Sequence, residues 1–150
     1  MKLKILPIVY VIIFAALMLV IGYATNTINF TFRNQGPIAG LIFISGISIV
    51  LIGGYQFRKT STTVNPLNPE ESSKLVTTGI YRFSRNPMYI GFFLFLVAWD
   101  VILGSIPSLI MLPVFVLLIN EVQIKPEEAI LKEKFGTEYE MYLKNVRRWI

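Results

Sequence analysis

Four apolar runs decide what this chain can fold into: residues 5–24, 38–57, 88–103 and 106–124. A helix rises about 1.5 Å per residue, so roughly 20 apolar residues cross a bilayer core of about 30 Å. The first two runs have that length. The third is short, at 16 residues, and the fourth is interrupted by Pro107, Pro113, Asn120 and Glu121. Only Gly104 and Ser105 separate the third from the fourth, which predicts a tight antiparallel hairpin. A cleavable signal peptide is the alternative for the first run. Its apolar part would be about 7–15 residues with a small-residue cleavage site, and this run is longer and lacks one. Gly40, Ser45, Gly46, Ser48, Gly53 and Gly54 in the second run are small enough to let helices approach closely in lipid. Asp100, inside the third run, is costly against lipid and is expected to point into the bundle or lie near the far interface.

The basic residues orient these helices. With four spans, both termini and the 58–86 loop share one side, and every Lys and Arg except Arg33 lies there. That asymmetry makes the shared side cytoplasmic. The fold expected is therefore an all-α, multi-pass integral membrane protein of one domain, 1–150. It has about four transmembrane helices, the last two a tight hairpin, and both termini cytoplasmic. The cytoplasmic parts are a loop at 58–87 and a tail at 125–150. In the tail, Leu131, Phe135, Tyr139, Tyr142, Val146 and Trp149 recur at helical spacing on one face, so the tail reads as an amphipathic segment lying on the membrane and closing over the loop. Gly136 is expected to break that helix, and Thr137 with Glu140 has capping-box spacing for a new one. Asn68-Pro69-Glu70-Glu71 has the pattern of a short helix start within the loop, and Asn86-Pro87 repeats it at the third run.

Composition removes several chemistries. The chain has no Cys and no His, so thiol nucleophiles, Cys/His metal sites and the usual general base near neutral pH are missing. Its net charge of +5, with 54% apolar residues and a mean hydropathy of +0.61, suits lipid headgroups better than nucleic acid. No metal partner is expected.

Two polar clusters remain. The segment 75–89 reads Leu-Val-Thr-Thr-Gly-Ile-Tyr-Arg-Phe-Ser-Arg-Asn-Pro-Met-Tyr, and Glu127-Glu128 follows the last apolar run. The hairpin predicts that they meet, with Arg85, Asn86 and Tyr89 facing Glu127 and Glu128 across a small cleft. Each residue also has a plain structural account. Asn86 and Pro87 suit a helix start, as do Pro126, Glu127 and Glu128, and the arginines and tyrosines suit a membrane interface. Together, acids on one wall and Arg, Asn and Tyr on the other suit a zwitterionic ligand with a hydrophobic part.

The segment 75–91 and the segment from Glu127 to the C-terminus resemble the signatures of the isoprenylcysteine carboxyl methyltransferase family and its phospholipid-methyltransferase relatives. The resemblance covers about Thr62 onward. It implies a membrane methyltransferase using S-adenosyl-L-methionine, with Val76, Gly79, Tyr81, Arg85, Asn86, Tyr89, Glu127 and Glu128 around the cofactor. Arg85 and Glu128 are the residues implied in catalysis, Arg85 for an anionic acceptor or the cofactor carboxylate and Glu128 for the cofactor ammonium. The acceptor implied is an isoprenylcysteine-like or other lipophilic carboxylate entering from the bilayer. The alternatives are N-methylation of an aminophospholipid and a non-enzymatic membrane scaffold. Two departures stand out: Asn86 occupies the place of the family's usual His, and the 146–150 segment lacks the family's frequent Pro. A carboxylate is already a nucleophile at neutral pH, which agrees with a chain that has no His.

Overall fold

A computed structural model describes residues 5–25, 28–59 and 74–150. Lys2, Lys4 and the helix start read at Asn68-Pro69-Glu70-Glu71 lie outside the described residues. Within them the fold is all-helical: α1 (Pro7–Ala24), α2 (Gln35–Lys59), a 3₁₀ turn at Gly79–Arg82, and α3 (Pro87–Leu103). A 3₁₀ turn at Pro107–Ile110, α4 (Met111–Ile119), a π turn at Asn120–Ile124 and α5 (Lys125–Asn145) follow. Three helical stretches are long and apolar enough to cross a membrane, namely α1, α2 and the stretch Pro107–Asn145, while α3 is shorter and also apolar. Ile12, Val20, Leu41, Leu51 and Leu117 stand more than half exposed, the surface expected where lipid tails rather than water cover a helix.

α3 is the central element. On one side it shares a buried core with α1 and α4, built from Val11, Phe14, Met18, Leu96, Phe115 and Ile119, and Phe14 meets Phe115 edge-on at 5.3 Å. On the other side α2 lies against it through facing glycines. A Cβ at Gly91 would stand 2.5 Å from Val50 Cγ2 and 2.8 Å from the Gly46 carbonyl oxygen, and one at Gly46 would stand 2.9 Å from the Gly91 carbonyl oxygen. No side chain fits between those backbones, and overpacking of this kind costs about 1–3 kcal/mol. Gly91→Ala is therefore expected to lower the thermal unfolding midpoint in detergent by several degrees. Gly40→Ala, where the added carbon meets nothing within 4 Å, is expected to leave it unchanged.

The turn after α3 is set by Gly104, which caps the helix in the left-handed conformation at φ 62° and donates its N–H to the Asp100 carbonyl at 2.9 Å. Only glycine takes that conformation without cost. The connector after α1 pairs with this turn, Phe30 N–H donating to the Gly104 carbonyl at 2.7 Å. Asp100 is buried, and its carboxylate accepts the hydroxyl of Ser108, so the one acid of α3 closes the hairpin instead of facing lipid.

The fourth apolar run continues as helix into the tail as far as Gly136. Pro126, read from sequence as the start of a separate helix, instead sits just past the π turn, where the Lys125 N–H reaches back to the Asn120 carbonyl. Proline removes a donor and crowds the carbonyl four residues back, and a widened turn lets the helix continue past such a site. Gly136, at φ 49° and ψ −122°, kinks α5.

Candidate functional site

The segment 75–89 and the acidic pair come together at one end of the bundle around a cavity of about 270 Å³. This lies near the low end of the roughly 300–1,000 Å³ usual for ligand sites. Val76, Tyr81, Arg85, Asn86, Tyr89, Glu127 and Glu128 line it. Gly79 does not. Its φ is 61°, and a Cβ there would overlap the Gln56 side chain at 1.4 Å, so this glycine shapes the 3₁₀ turn that presents Tyr81. Apolar residues complete the lining: Leu6, Pro7 and Ile8 at the start of α1, Phe57 at the end of α2, and Phe92 of α3.

The two glutamates have different surroundings. The Tyr89 hydroxyl donates to Glu127 at 2.6 Å. Burial pushes the Glu127 carboxyl up from its ordinary 4.5 to about 8, with the Tyr89 hydrogen bond opposing the rise and the nearby Glu128 adding to it. Glu128 is engaged by cations. Arg148 donates to it from Nε at 3.0 Å and from a terminal nitrogen at 2.6 Å, and Arg85 approaches at 3.1 Å. Its two oxygens are thus shared between two guanidinium groups. Arg85 keeps a buried Nε without a hydrogen-bond partner among the described residues.

Asn86 is the residue before Pro87 at the head of α3, yet its side chain makes no capping bond. The amide instead donates to the Arg148 carbonyl at 3.0 Å. The expectation of a side-chain cap at Asn86 is therefore corrected: the C-terminal segment competes for that amide, and Ser84 Oγ accepts the Asn86 N–H at 3.0 Å. Tyr139 and Tyr142 of α5 also line the cavity. The Tyr142 hydroxyl donates to the Tyr81 carbonyl at 2.7 Å, and burial raises the hydroxyl pKa values of Tyr81, Tyr139 and Tyr142. The contribution of Arg148 was not legible as a site feature, because it depends on the path of the chain after α5 leaves the helix at Val146.

An apolar helical bundle with a cleft at one end, lined by both polar and hydrophobic side chains, is the architecture of a membrane protein. The chain matches the phospholipid methyltransferase family over residues 35–138 and belongs to it. Its apolar helices are those of a multi-pass membrane protein, and the proteins it resembles include several named protein-S-isoprenylcysteine O-methyltransferase. It is 43% identical over 63 residues to an uncharacterised protein of Haemophilus influenzae, covering 42% of this chain and all of that one. It is 38% identical over 72 residues to the protein-S-isoprenylcysteine O-methyltransferase of Schizosaccharomyces pombe, covering 48% of this chain and 30% of that one. To protein-S-isoprenylcysteine O-methyltransferase B of Arabidopsis thaliana it is 33% identical over 109 residues, covering 67% and 55%. The chain thus spans less than two thirds of the length of these named relatives. No solved structure matches it.

Proposed function

We propose that the cleft binds S-adenosyl-L-methionine and that the protein methylates the carboxylate of a lipophilic, isoprenylcysteine-like acceptor. The observation that carries this reading is that a carboxyl and a guanidinium line one cavity together with apolar side chains. Glu127 has the Tyr89 hydroxyl as its described partner, and Arg85, Leu6, Pro7, Ile8, Phe57 and Phe92 line the same cavity. A carboxyl for an ammonium and a guanidinium for a carboxylate are the donor set a zwitterionic amino acid requires. The ammonium role assigned from sequence to Glu128 passes to Glu127, since Glu128 is already engaged by Arg85 and Arg148. When bound, S-adenosyl-L-methionine supplies an electrophilic methyl group on a sulfonium. The residues here hold and orient; Arg85 receives an anionic group, and Tyr89 fixes the Glu127 carboxyl. Positioning of that kind is the main contribution an enzyme makes to an in-line displacement.

This reading takes the four apolar helices as four spans of one domain, about 5–24, 38–57, 88–103 and 106–124, with the cleft and both termini cytoplasmic and α5 at the membrane surface. The acceptor then reaches the cleft from the bilayer past the apolar lining residues. A labelling assay tests the reaction. Detergent-solubilised protein is incubated with methyl-tritiated S-adenosyl-L-methionine and either prenylcysteine analogues or a lipid extract. Base-labile label on the prenylcysteine supports the proposal. Base-stable label on an aminophospholipid would instead mark N-methylation.

Proton linkage offers a second check. In the empty site Glu127 holds its proton up to about pH 8, and an ammonium favours the ionised form. Binding near pH 7 is therefore expected to release about one proton, read from calorimetry in buffers of different ionisation enthalpy. Affinity should rise as pH increases toward 8, by at most about tenfold per unit. Glu127→Gln is expected to abolish the release. The sign for folding is opposite. The raised acid contributes stability below its unfolded value of 4.5 that is lost as pH rises to about 8.

A further inference from the structure

The C-terminal residues 146–150 leave the helix at Val146, whose backbone is extended, and run as a strap across the entry to α3. The strap is tied down at three consecutive residues. The Arg147 carbonyl accepts the Arg85 N–H at 3.0 Å. The Arg148 carbonyl accepts from Asn86 Nδ2 at 3.0 Å and from Ser84 Oγ at 3.3 Å. Trp149 Nε1 donates to Asn120 Oδ1, in the π turn, at 3.0 Å. These bonds fix the register of Arg148 against Arg85, and they place its guanidinium on Glu128 as a two-pronged fork.

An arginine beside a carboxylate ordinarily takes it as a fork itself, through two parallel N–H donors. Arg85 does not. It reaches Glu128 through one terminal nitrogen, at 3.1 Å. Arg148 already occupies the fork geometry. The difference matters because Arg85 lines the cavity and Arg148 does not.

We propose that Arg148 is a positioning residue: by occupying Glu128 as a fork it keeps Arg85 from doing so, and thereby keeps the Arg85 guanidinium on the cavity wall, where it can meet a carboxylate. Without Arg148, Glu128 draws Arg85 into the fork and the cavity loses a donor. Asn86, Ser84 and Trp149 serve the same end by holding the strap in register. The inference rests on the methyl-donor reading of the cleft. The carboxylate belongs either to the methyl donor or to the acceptor, and two pairs of probes separate these sources.

The test is calorimetric affinity of the full chain in detergent, for the wild type, Arg148→Ala, Arg148→Lys and the double variant Arg148→Ala/Glu128→Gln. The first probe pair is S-adenosyl-L-methionine and its decarboxylated analogue; the second is a prenylcysteine and its amide. Arg148→Ala is expected to weaken binding of the carboxylate member of one pair about tenfold and to leave its counterpart without the carboxylate unchanged. The pair affected identifies the source. Arg148→Lys, with one charge but no fork, should lose part of the same selectivity, and it also serves if the alanine variant does not fold. Glu128→Gln in the Arg148→Ala background should restore selectivity, because the competition for Arg85 is removed. Equal losses for both members of each pair, no loss for any probe, or no restoration in the double variant would overturn the proposal. If the wild type binds neither methyl-donor probe, the reading of the cleft fails and this inference falls with it. Binding with unchanged selectivity in every variant removes the inference alone.

Discussion

Glu127→Gln is expected to weaken binding of S-adenosyl-L-methionine by about 10- to 150-fold at pH 8, the equivalent of losing one charged hydrogen-bond partner worth roughly 1.5–3 kcal/mol. The substitution keeps the size and the acceptor oxygen, so Tyr89 retains a partner and the cleft keeps its shape. What disappears is the charge. Burial makes that charge expensive in the empty site, which is why the carboxyl titrates near 8, and a bound cation would remove the expense by pairing it. Tyr89→Phe tests the same element from the other side. Its hydroxyl donates to Glu127 at 2.6 Å and works against the rise in the carboxyl pKa. Removing it should raise that pKa further, so Tyr89→Phe should bind the methyl donor more weakly at pH 7 and approach the wild type as pH is raised toward 9. A pH-independent defect would mean that Tyr89 acts through packing alone.

Glu128→Ala is the second large effect. Arg85 and Arg148 both rest on this carboxylate, with side chains 11% and 33% exposed. Its removal leaves two guanidinium groups facing each other with no counter-charge. Breaking a buried ion pair from one side costs about 3–5 kcal/mol, and the partial exposure of Arg148 lowers that to about 2–4 kcal/mol. The expected outcome is a thermal midpoint lowered by about 4–15 °C, at roughly 2–4 °C per kcal/mol for a chain of this size. The strap should also loosen, because Arg148 loses its side-chain anchor. Limited trypsin digestion reads this directly as faster cleavage at Lys144, Arg147 and Arg148. Glu128→Gln retains an acceptor oxygen and should fall between. A wild-type midpoint and digestion pattern in Glu128→Ala would show that the two arginines need no shared partner.

Residue patterns carried the helical scaffold because each apolar run contains most of what decides its own structure. The third run, read as 88–103, is α3 (Pro87–Leu103), ended by a glycine that only a left-handed turn requires. The meeting of Tyr89 with Glu127 follows from that hairpin, since the short connection at 104–106, before the 3₁₀ turn, leaves the other ends of the helices side by side. Features set by longer-range competition were not legible. Pro126 carries every local mark of a helix start, and only the π turn before it shows that the helix continues. Asn86 has the local mark of a cap, but the Arg148 carbonyl takes its amide. Gly79 sits within the signature, yet its crowding against Gln56 depends on where α2 ends. Arg148 looked like one more basic residue of the tail. Its fork on Glu128 arises from a kink at Gly136, an extended Val146 and a strap pinned by three side chains, none of which has a periodic signal.

The account stands most directly on whether this cleft takes a methyl donor. The measurement is a titration of S-adenosyl-L-methionine into the purified full chain in detergent micelles, followed by calorimetry at pH 8. The account predicts saturable one-to-one binding with a dissociation constant on the order of 1 μM to 1 mM, the range usual for enzyme substrates, and a marked loss in Glu127→Gln. Absence of saturable binding at millimolar donor, or equal binding by wild type and Glu127→Gln, would contradict it.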